Sequence, residues 1–326
     1  MAKTVQSAFN TFNDNIVNLS SDDVASARSS RDFLLTNLHS FDEKITDFPL
    51  TYSKKSIKFG SFARKTKIVE IDDIDLMLCF SGANAYYSEH YNGKFKIHTE
   101  NADNRLKLLS DNNILNSRKV IEEIKSSLLN LHHYQKAEIH RQQEAVTLKL
   151  SSYTWNFDIV PCFFTTNDFY LIPDGNGNWK KADPRLDQKR VSDENQIQNG
   201  CLLQLIRTLK YWNSERKIAH TMGSYFFENL VIQFSRDYGL SSEIDLNIRN
   251  FFLYLYQNIL NDFDDPKGFQ GNINHLDNSQ RVSVKSKANE MYQICCNAYY
   301  LKENLEHEKS IKEWQKVFGS EFPNYG

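Results

Sequence analysis

What this chain of 326 residues lacks narrows it first. No apolar run approaches the ~18 residues that a helix needs to cross a membrane. The opening Met1-Ala2-Lys3-Thr4 leads into no apolar core of the ~7–15 residues that mark a secretory leader, so neither a leader nor membrane association is expected. The cysteines are five, an odd number (Cys79, Cys162, Cys201, Cys295, Cys296). No Cys-x-x-Cys pair occurs among them, and neither a disulfide framework nor a zinc ribbon is signalled. These absences point to a reducing, cytoplasmic setting. A large excess of charge is missing too. The formal net charge is −2, which excludes a molecule built throughout as a nonspecific nucleic-acid binder and confines any anion site to a local patch.

What is present is a globular composition, 40% hydrophobic and 25% charged, with length for one large domain or two closely packed ones and for a substantial core. The most informative stretch is Phe59-Gly60-Ser61-Phe62-Ala63-Arg64-Lys65-Thr66, followed by Asp72-Asp73-Ile74-Asp75-Leu76-Met77-Leu78. Side chains alternate across a strand, so Asp73 and Asp75 share one face while Ile74, Leu76, Leu78 and Phe80 point into a core. Two carboxylates on one face repel each other unless a cation stands between them. An oxygen-only ligand set favours a hard cation such as Mg²⁺, which often also binds substrate phosphates. A bare Asp-x-Asp is equally the solvated polar end of a strand. The preceding Gly60-Ser61 favours the metal, because glycine lets backbone approach a phosphate and serine adds a hydroxyl and an N–H. Lys54, Lys55, Lys58, Arg64, Lys65 and Lys67 add a local positive field with no acid among them. Phosphate, metal and carboxylate are the components of phosphoryl or nucleotidyl transfer.

A third acid stands out downstream. Asp158 lies in the largely apolar strand pattern Trp155-Asn156-Phe157-Asp158-Ile159-Val160-Pro161. Leaving a carboxylate buried and unpaired there would cost several kcal/mol. It is either a salt-bridged or edge aspartate, or a third metal ligand meeting Asp73 and Asp75 across adjacent strands.

The pattern of Gly60-Ser61, then Asp73-x-Asp75, then a lone carboxylate on a later strand resembles the polymerase-beta-like nucleotidyltransferases. Leu209-Lys210-Tyr211-Trp212 followed by Ser224-Tyr225, and the ending Trp314, Phe318-Gly319 and Phe322-Pro323, narrow the resemblance to the bacterial CD-NTases (cGAS/DncV-like nucleotidyltransferases). The resemblance covers nearly the whole chain and is weakest over residues 81–112. It implies an α+β fold: a nucleotidyltransferase core of mixed β-sheet and helices packed on a C-terminal helical bundle and braced by a long N-terminal helix. It also implies that Asp73, Asp75 and Asp158 hold two Mg²⁺ (or Mn²⁺) ions. Gly60, Ser61, Lys210 and Ser224 would grip a nucleoside triphosphate, and Tyr225 would stack on its base. Lys65-Thr66 departs from the family, where many members have glycine before that threonine. The adjacent Cys295-Cys296 is similar to part of the zinc thumb of animal relatives, but the accompanying His and third Cys are missing, and no zinc is expected.

The rest of the chain reads as follows. Ser20-Ser21-Asp22-Asp23 offers caps for a helix over 22–42. Strands are expected at 55–59, 67–71, 74–80, 145–150 and 153–163, with a lightly structured insertion over 81–112 containing one short strand at Phe95-Lys96-Ile97. An apolar stripe from Ile114 to Leu131 predicts a helix over 114–132. Residues 165–196 read as a connector, and the domain division falls there, into a catalytic core with its brace helix (1–190) and a helical domain (191–326). Ile197, Cys201, Leu202, Leu205, Ile206, Leu209 and Trp212 mark a helix over 195–213, with Lys210 off the stripe. After the loop 213–222, Ser224 opens a helix and is first an N-cap, although helix starts also bind anions. Further helices are expected over 246–262 and 277–304.

The expected activity is metal-dependent condensation of NTPs into a cyclic di- or oligonucleotide second messenger of anti-phage defence. The competitors are transfer to a tRNA, protein or small-molecule acceptor, and a nonenzymatic nucleotide-binding scaffold. A tRNA enzyme should show a wide basic surface, and residues 195–326 show no such run. A monomer with NTP substrates is expected, and the resemblance leaves room for a regulatory protein partner.

Overall fold

The computed structural model describes residues 2–215 and 221–326, with only the backbone of Asn92 and Glu215. Residues 216–220 of the loop expected over 213–222 lie outside the described residues. The chain divides into two compact units. A sheet unit comprises Ser21–Arg64 and Ile71–Gln188, and a helical unit comprises the described residues of 1–20, 65–70 and 189–326.

The sheet unit carries strands β1 (Ile57–Phe59), β2 (Asp73–Phe80), β3 (Tyr86–His90), β4 (Lys94–His98), β5 (Ser110–Asp111), β6 (Ile114–Leu115), β7 (Glu138–Gln142), β8 (Ala145–Lys149), β9 (Asn156–Phe164), β10 (Tyr170–Pro173) and β11 (Trp179–Ala182). They form one mixed sheet in the order β1-β2-β9-β10-β11-β4-β6-β5, with β3 on β4, and β7 and β8 attached through β9. The β2–β9 pair is parallel, and the other paired strands described run antiparallel. Helices are numbered along the chain. The helical unit begins with α1 (Val5–Phe12). The sheet unit holds α2 (Ser21–His39), α3 (Phe41–Lys44), α4 (Gly60–Arg64), α5 (Asn104–Leu108) and α6 (Ser117–Leu129). Across the boundary runs α7 (Pro184–Ile197). Beyond it lie α8 (Cys201–Glu215), α9 (Ser224–Tyr238), α10 (Ile244–Asn258), α11 (Asn278–Glu303) and α12 (His307–Phe318).

The two faces of β2 differ as its alternation requires. Ile74, Leu76, Leu78 and Phe80 are buried, and α2 lies against this strand. Val120, Ile121, Ile124 and Leu128 line the buried stripe of α6, which lies along β8, β9 and β10. On the opposite face of β2, Met77 and Cys79 join Val160, Cys162 and Tyr170 in an apolar cluster. That face is therefore polar only at its Asp73-Asp75 end.

Several expectations are corrected by pairings between distant segments. The insertion over 81–112 is part of the sheet: β4 sits between β11 and β6, with Phe95 and Ile97 buried on alternate positions. The connector over 165–196 contains the β10–β11 hairpin. Its turn is closed by Asp174, which accepts from the backbone N–H groups of Asn176 (2.7 Å) and Asn178 (3.0 Å). The helix expected from 114 starts at Ser117, because Ile114 and Leu115 pair in the sheet and the Asn116 side chain caps the helix by accepting from Arg118 N. No strand forms over 67–71. Residues 65–70 instead belong to the helical unit, where Val69 N donates to Val17 O (3.1 Å) and Arg207 Nη1 to Lys65 O (2.8 Å).

The helical unit is held by an aromatic core. The Phe9 ring lies 4.9 Å from Trp314 and 4.9 Å from Phe322, and Phe12 lies 5.1 Å from Tyr211. These contacts bind residues 1–20 to the C-terminal segment rather than to the unit that carries most of 1–190, so the division is discontinuous in sequence. The helix expected over 195–213 is broken. α7 ends at Ile197, Asn199 and Gly200 take left-handed backbone (φ +53° and +86°), and α8 begins at Cys201. Ile197, placed on the buried stripe by its spacing, is 69% exposed. Among the described residues, no helix is long and apolar enough to cross a membrane.

Candidate active site

The acidic site is built on three neighbouring strands and one turn of the sheet unit. In the parallel β2–β9 pair, Asp75 is directly in register with Asp158. Asp73 lies two residues before Asp75 on the same face. One carboxylate oxygen from each of Asp73, Asp75 and Asp158 lies within 4.8 Å of the others. The three acids that sequence reasoning singled out therefore converge. Burial pushes the Asp158 carboxyl above the ordinary aspartate range, and the nearby Asp73 charge pushes the same way, while a hydrogen bond from Thr147 works against both. Thr147 Oγ1 donates to Asp158 Oδ1 at 2.6 Å.

Gly60 supplies the fourth side. β1 delivers the chain to Phe59, which pairs with Asp75. Gly60 then turns it into α4 with φ +75° and lies against the Asp75 carboxylate. The positive side chains expected to surround this turn are in part engaged elsewhere. Lys58 Nζ pairs with Asp32 Oδ1 at 2.7 Å, and Lys55 Nζ sits 3.7 Å from the centre of the Phe164 ring.

The helical unit holds the other expected nucleotide residues. Ser224 is the first residue of α9 and is exposed, and Gly223 rather than Ser224 occupies the N-cap. Tyr225 follows it, its hydroxyl donating to Asp265 Oδ1 at 2.8 Å and the Lys267 ammonium 4.5 Å from its ring centre. Ser224 and Tyr225 share a cavity of about 480 Å³ with Thr221, Gln270, His275 and neighbouring apolar residues. Lys210 is buried, and its ammonium meets Glu228 Oε1 at 2.8 Å, tying α8 to α9. The structure thus groups Asp73, Asp75, Asp158 and Gly60 in one unit, and Ser224 with Tyr225 at a cavity in the other, with Lys210 in an internal ion pair.

The comparisons with known proteins bear on the family and the fold. Residues 97–195 match the Second Messenger Oligonucleotide or Dinucleotide Synthetase domain, a span that includes Asp158 but not Asp73 or Asp75. A "Probable cyclic nucleotide synthase" of Bacillus cereus (strain VD146) is 44% identical over 332 residues, covering 100% of this chain and 99% of the relative. This chain is a bacterial CD-NTase. As such it is a nucleotidyltransferase. The solved structures agree in fold. CdnC of E. coli MS115-1, determined with ATP, superposes with a TM-score of 0.72 at 18% identity over 97% of this chain and 98% of that one. The same protein in a HORMA-deltaN complex gives 0.72 at 19% identity with the same coverage. The Vibrio cholerae DncV cyclic AMP-GMP synthase gives 0.69 at 11% identity over 97% and 96%.

The acidic site of this CD-NTase suits divalent cations. Its donors are carboxylate oxygens only, they converge from separate strands, and burial already penalises the unneutralised charge on Asp158. Three residues that support the expected ones escaped the sequence reading. Thr147 was visible only as one polar position of an alternating strand. Glu228 lies four residues beyond Ser224 inside an apolar helix. Asp265, buried, accepts from Tyr225 and from the backbone N–H groups of Lys267 (3.2 Å) and Phe269 (3.2 Å), and it sits in an Asp-Pro turn that signalled nothing beyond a turn.

Proposed function

We propose that this CD-NTase joins nucleoside triphosphates into a cyclic di- or oligonucleotide with release of pyrophosphate, that it depends on two Mg²⁺ or Mn²⁺ ions, and that the product is an anti-phage signal. The observation that carries the reading is the convergence of Asp73, Asp75 and Asp158 beside the Gly60 turn. The 44% identical relative named a probable cyclic nucleotide synthase supports the product class, and the CdnC structure with ATP supports a nucleoside triphosphate as substrate.

Asp73, Asp75 and Asp158 are the residues that would hold the ions. When bound there, divalent cations lower the pKa of an attacking ribose hydroxyl and neutralise the leaving pyrophosphate. We assign Asp158 as the carboxylate that accepts that hydroxyl's proton. The ribose oxygen then forms a bond to the α-phosphorus as the bond from the α-phosphorus to the pyrophosphate oxygen breaks. A second round of the same chemistry closes the ring. Gly60 and Ser61 offer backbone and hydroxyl donors for the triphosphate. We assign nucleotide binding also to Lys210, Ser224 and Tyr225, with the Tyr225 ring as the stacking surface, an arrangement that tolerates any base. The HORMA-deltaN complex of CdnC supports a regulatory protein partner of that kind.

The test incubates purified protein with labelled ATP, GTP, CTP and UTP and Mg²⁺, and reads phosphatase-resistant product and free pyrophosphate. Cyclic product from the wild type, absent in Asp73→Asn/Asp75→Asn and after chelation, is the expected result. Equal product from the double variant would overturn the metal assignment. Product that forms only when tRNA, a protein or a small-molecule acceptor is added would replace the synthase reading with transfer to that acceptor.

A further inference from the structure

We propose that Thr147 is a positioning residue for Asp158, holding one carboxylate oxygen so that the remaining lone pairs face the cations. The inference rests on the reading of Asp158 as a metal ligand. Asp158 lies on β9 between two strands, and both neighbours are set by register. On the β2 side its partner is Asp75, and on the β8 side its partner is Thr147. Within β8, Val146 and Leu148 are buried, and the alternation puts Thr147 on the same face as Asp158.

The hydroxyl has one proton to give. Two acceptors lie within reach: Asp158 Oδ1 at 2.6 Å and Gln142 Oε1 at 3.4 Å. The nearer acceptor is the charged one, and a short bond to a carboxylate is among the stronger hydrogen bonds. Threonine is stiff at χ1 because it is branched at Cβ, so the hydroxyl is held in place with little loss of side-chain freedom. Its neutrality matters as much as its reach. A lysine or arginine on this position would satisfy Asp158 equally well, but would neutralise it and repel a divalent cation. Valine, the branched residue of similar shape, would leave a half-buried carboxylate without this donor. Among ligating carboxylates, partners of this kind orient the oxygens, and losing them weakens metal binding by roughly 10- to 100-fold.

The test compares wild type, Thr147→Ser and Thr147→Val. Mn²⁺ alone is titrated into each protein without nucleotide and read by electron paramagnetic resonance, and turnover is measured separately at saturating metal. Thr147→Val is expected to bind Mn²⁺ about 10- to 100-fold more weakly and to lose kcat with KM for NTP little changed. Thr147→Ser, which keeps the hydroxyl and drops the methyl group, should restore both. Wild-type Mn²⁺ binding by the valine variant, or a serine variant impaired as far as the valine one, would overturn the proposal. Where Thr147→Val gives no cooperative melt, Thr147→Ala takes its place: weak Mn²⁺ binding supports the assignment and wild-type binding overturns it. The Mn²⁺ comparison needs no product, so failure of the wild type to make a cyclic nucleotide would count against the synthase reading and leave this one standing.

Discussion

A methyl group placed on Gly60 would fall 1.6 Å from Asp75 Oδ2 and 2.5 Å from Asp75 Cγ. The turn that precedes the strand and the carboxylate on the strand therefore occupy adjoining space, and only a hydrogen at Gly60 leaves Asp75 where it is.

Gly60→Ala follows directly. The residue has φ +75°, a left-handed conformation that costs an L-residue roughly 1–2 kcal/mol, and its Cβ must also displace Asp75. Displacement of a reacting group by about 1 Å can lower turnover on the order of 100-fold. The variant is expected to melt cooperatively, slightly below wild type, while losing nearly all nucleotide transfer. Calorimetry and product assays read the two effects separately, and wild-type turnover would show that Asp75 keeps its place by another route.

The Lys210–Glu228 pair makes a prediction about stability, separate from the nucleotide contact assigned to Lys210. Both side chains are buried and their charged atoms are 2.8 Å apart. Removing the ammonium takes one charged partner from a buried carboxylate, so Lys210→Met should lose roughly 1–3 kcal/mol. Replacing both with methionine should recover part of that loss, because two apolar side chains need no partner. Urea denaturation of the two single variants and the double one measures the coupling, and strictly additive effects would rule out the pair as a stabilising contact.

Glu194 links stability to pH. Burial raises its carboxyl, but bonds from Gln198 Nε2 (2.8 Å) and Arg236 Nε (3.0 Å), with Ser235 and the Arg236 charge, outweigh it and hold the group below the ordinary glutamate value. A folded-state value below the unfolded one contributes stability that is fully present above the unfolded value, and that contribution is lost as pH falls through the folded one. Melting temperatures taken from about pH 6 down to about pH 3 should therefore fall more steeply for wild type than for Glu194→Gln. Parallel curves would show that this carboxylate titrates alike in both states.

The acids were legible because their signal is local. Alternation along one strand puts Asp73 and Asp75 on one face, and a lone carboxylate among Trp155, Phe157, Ile159 and Val160 is conspicuous. The long amphipathic helices were legible for the same reason, since periodicity needs only one segment. The misreadings lie where another segment, or a single turn, decided the outcome. Ile114 and Leu115 continue a helical stripe in sequence but pair with β4 and β5. Ile197 fits the stripe of α8 but lies beyond a left-handed break. Phe95 and Ile97 read as a short strand in a lightly structured insertion, although they sit within a sheet in which one of their neighbouring strands lies over eighty residues away, at Trp179.

From the amino-acid order alone came three candidate acids and a glycine turn, which are properties of spacing within short stretches, and the resemblance to CD-NTases, which implied the α+β class. Tertiary structure alone decided that Asp75 and Asp158 stand in register, that Thr147 donates a hydrogen bond to Asp158, and that the described residues of 1–20 belong with the C-terminal helices. Those facts depend on which strands lie side by side and which aromatic faces meet. Such choices minimise exposed apolar surface over the whole chain, and no local window contains them.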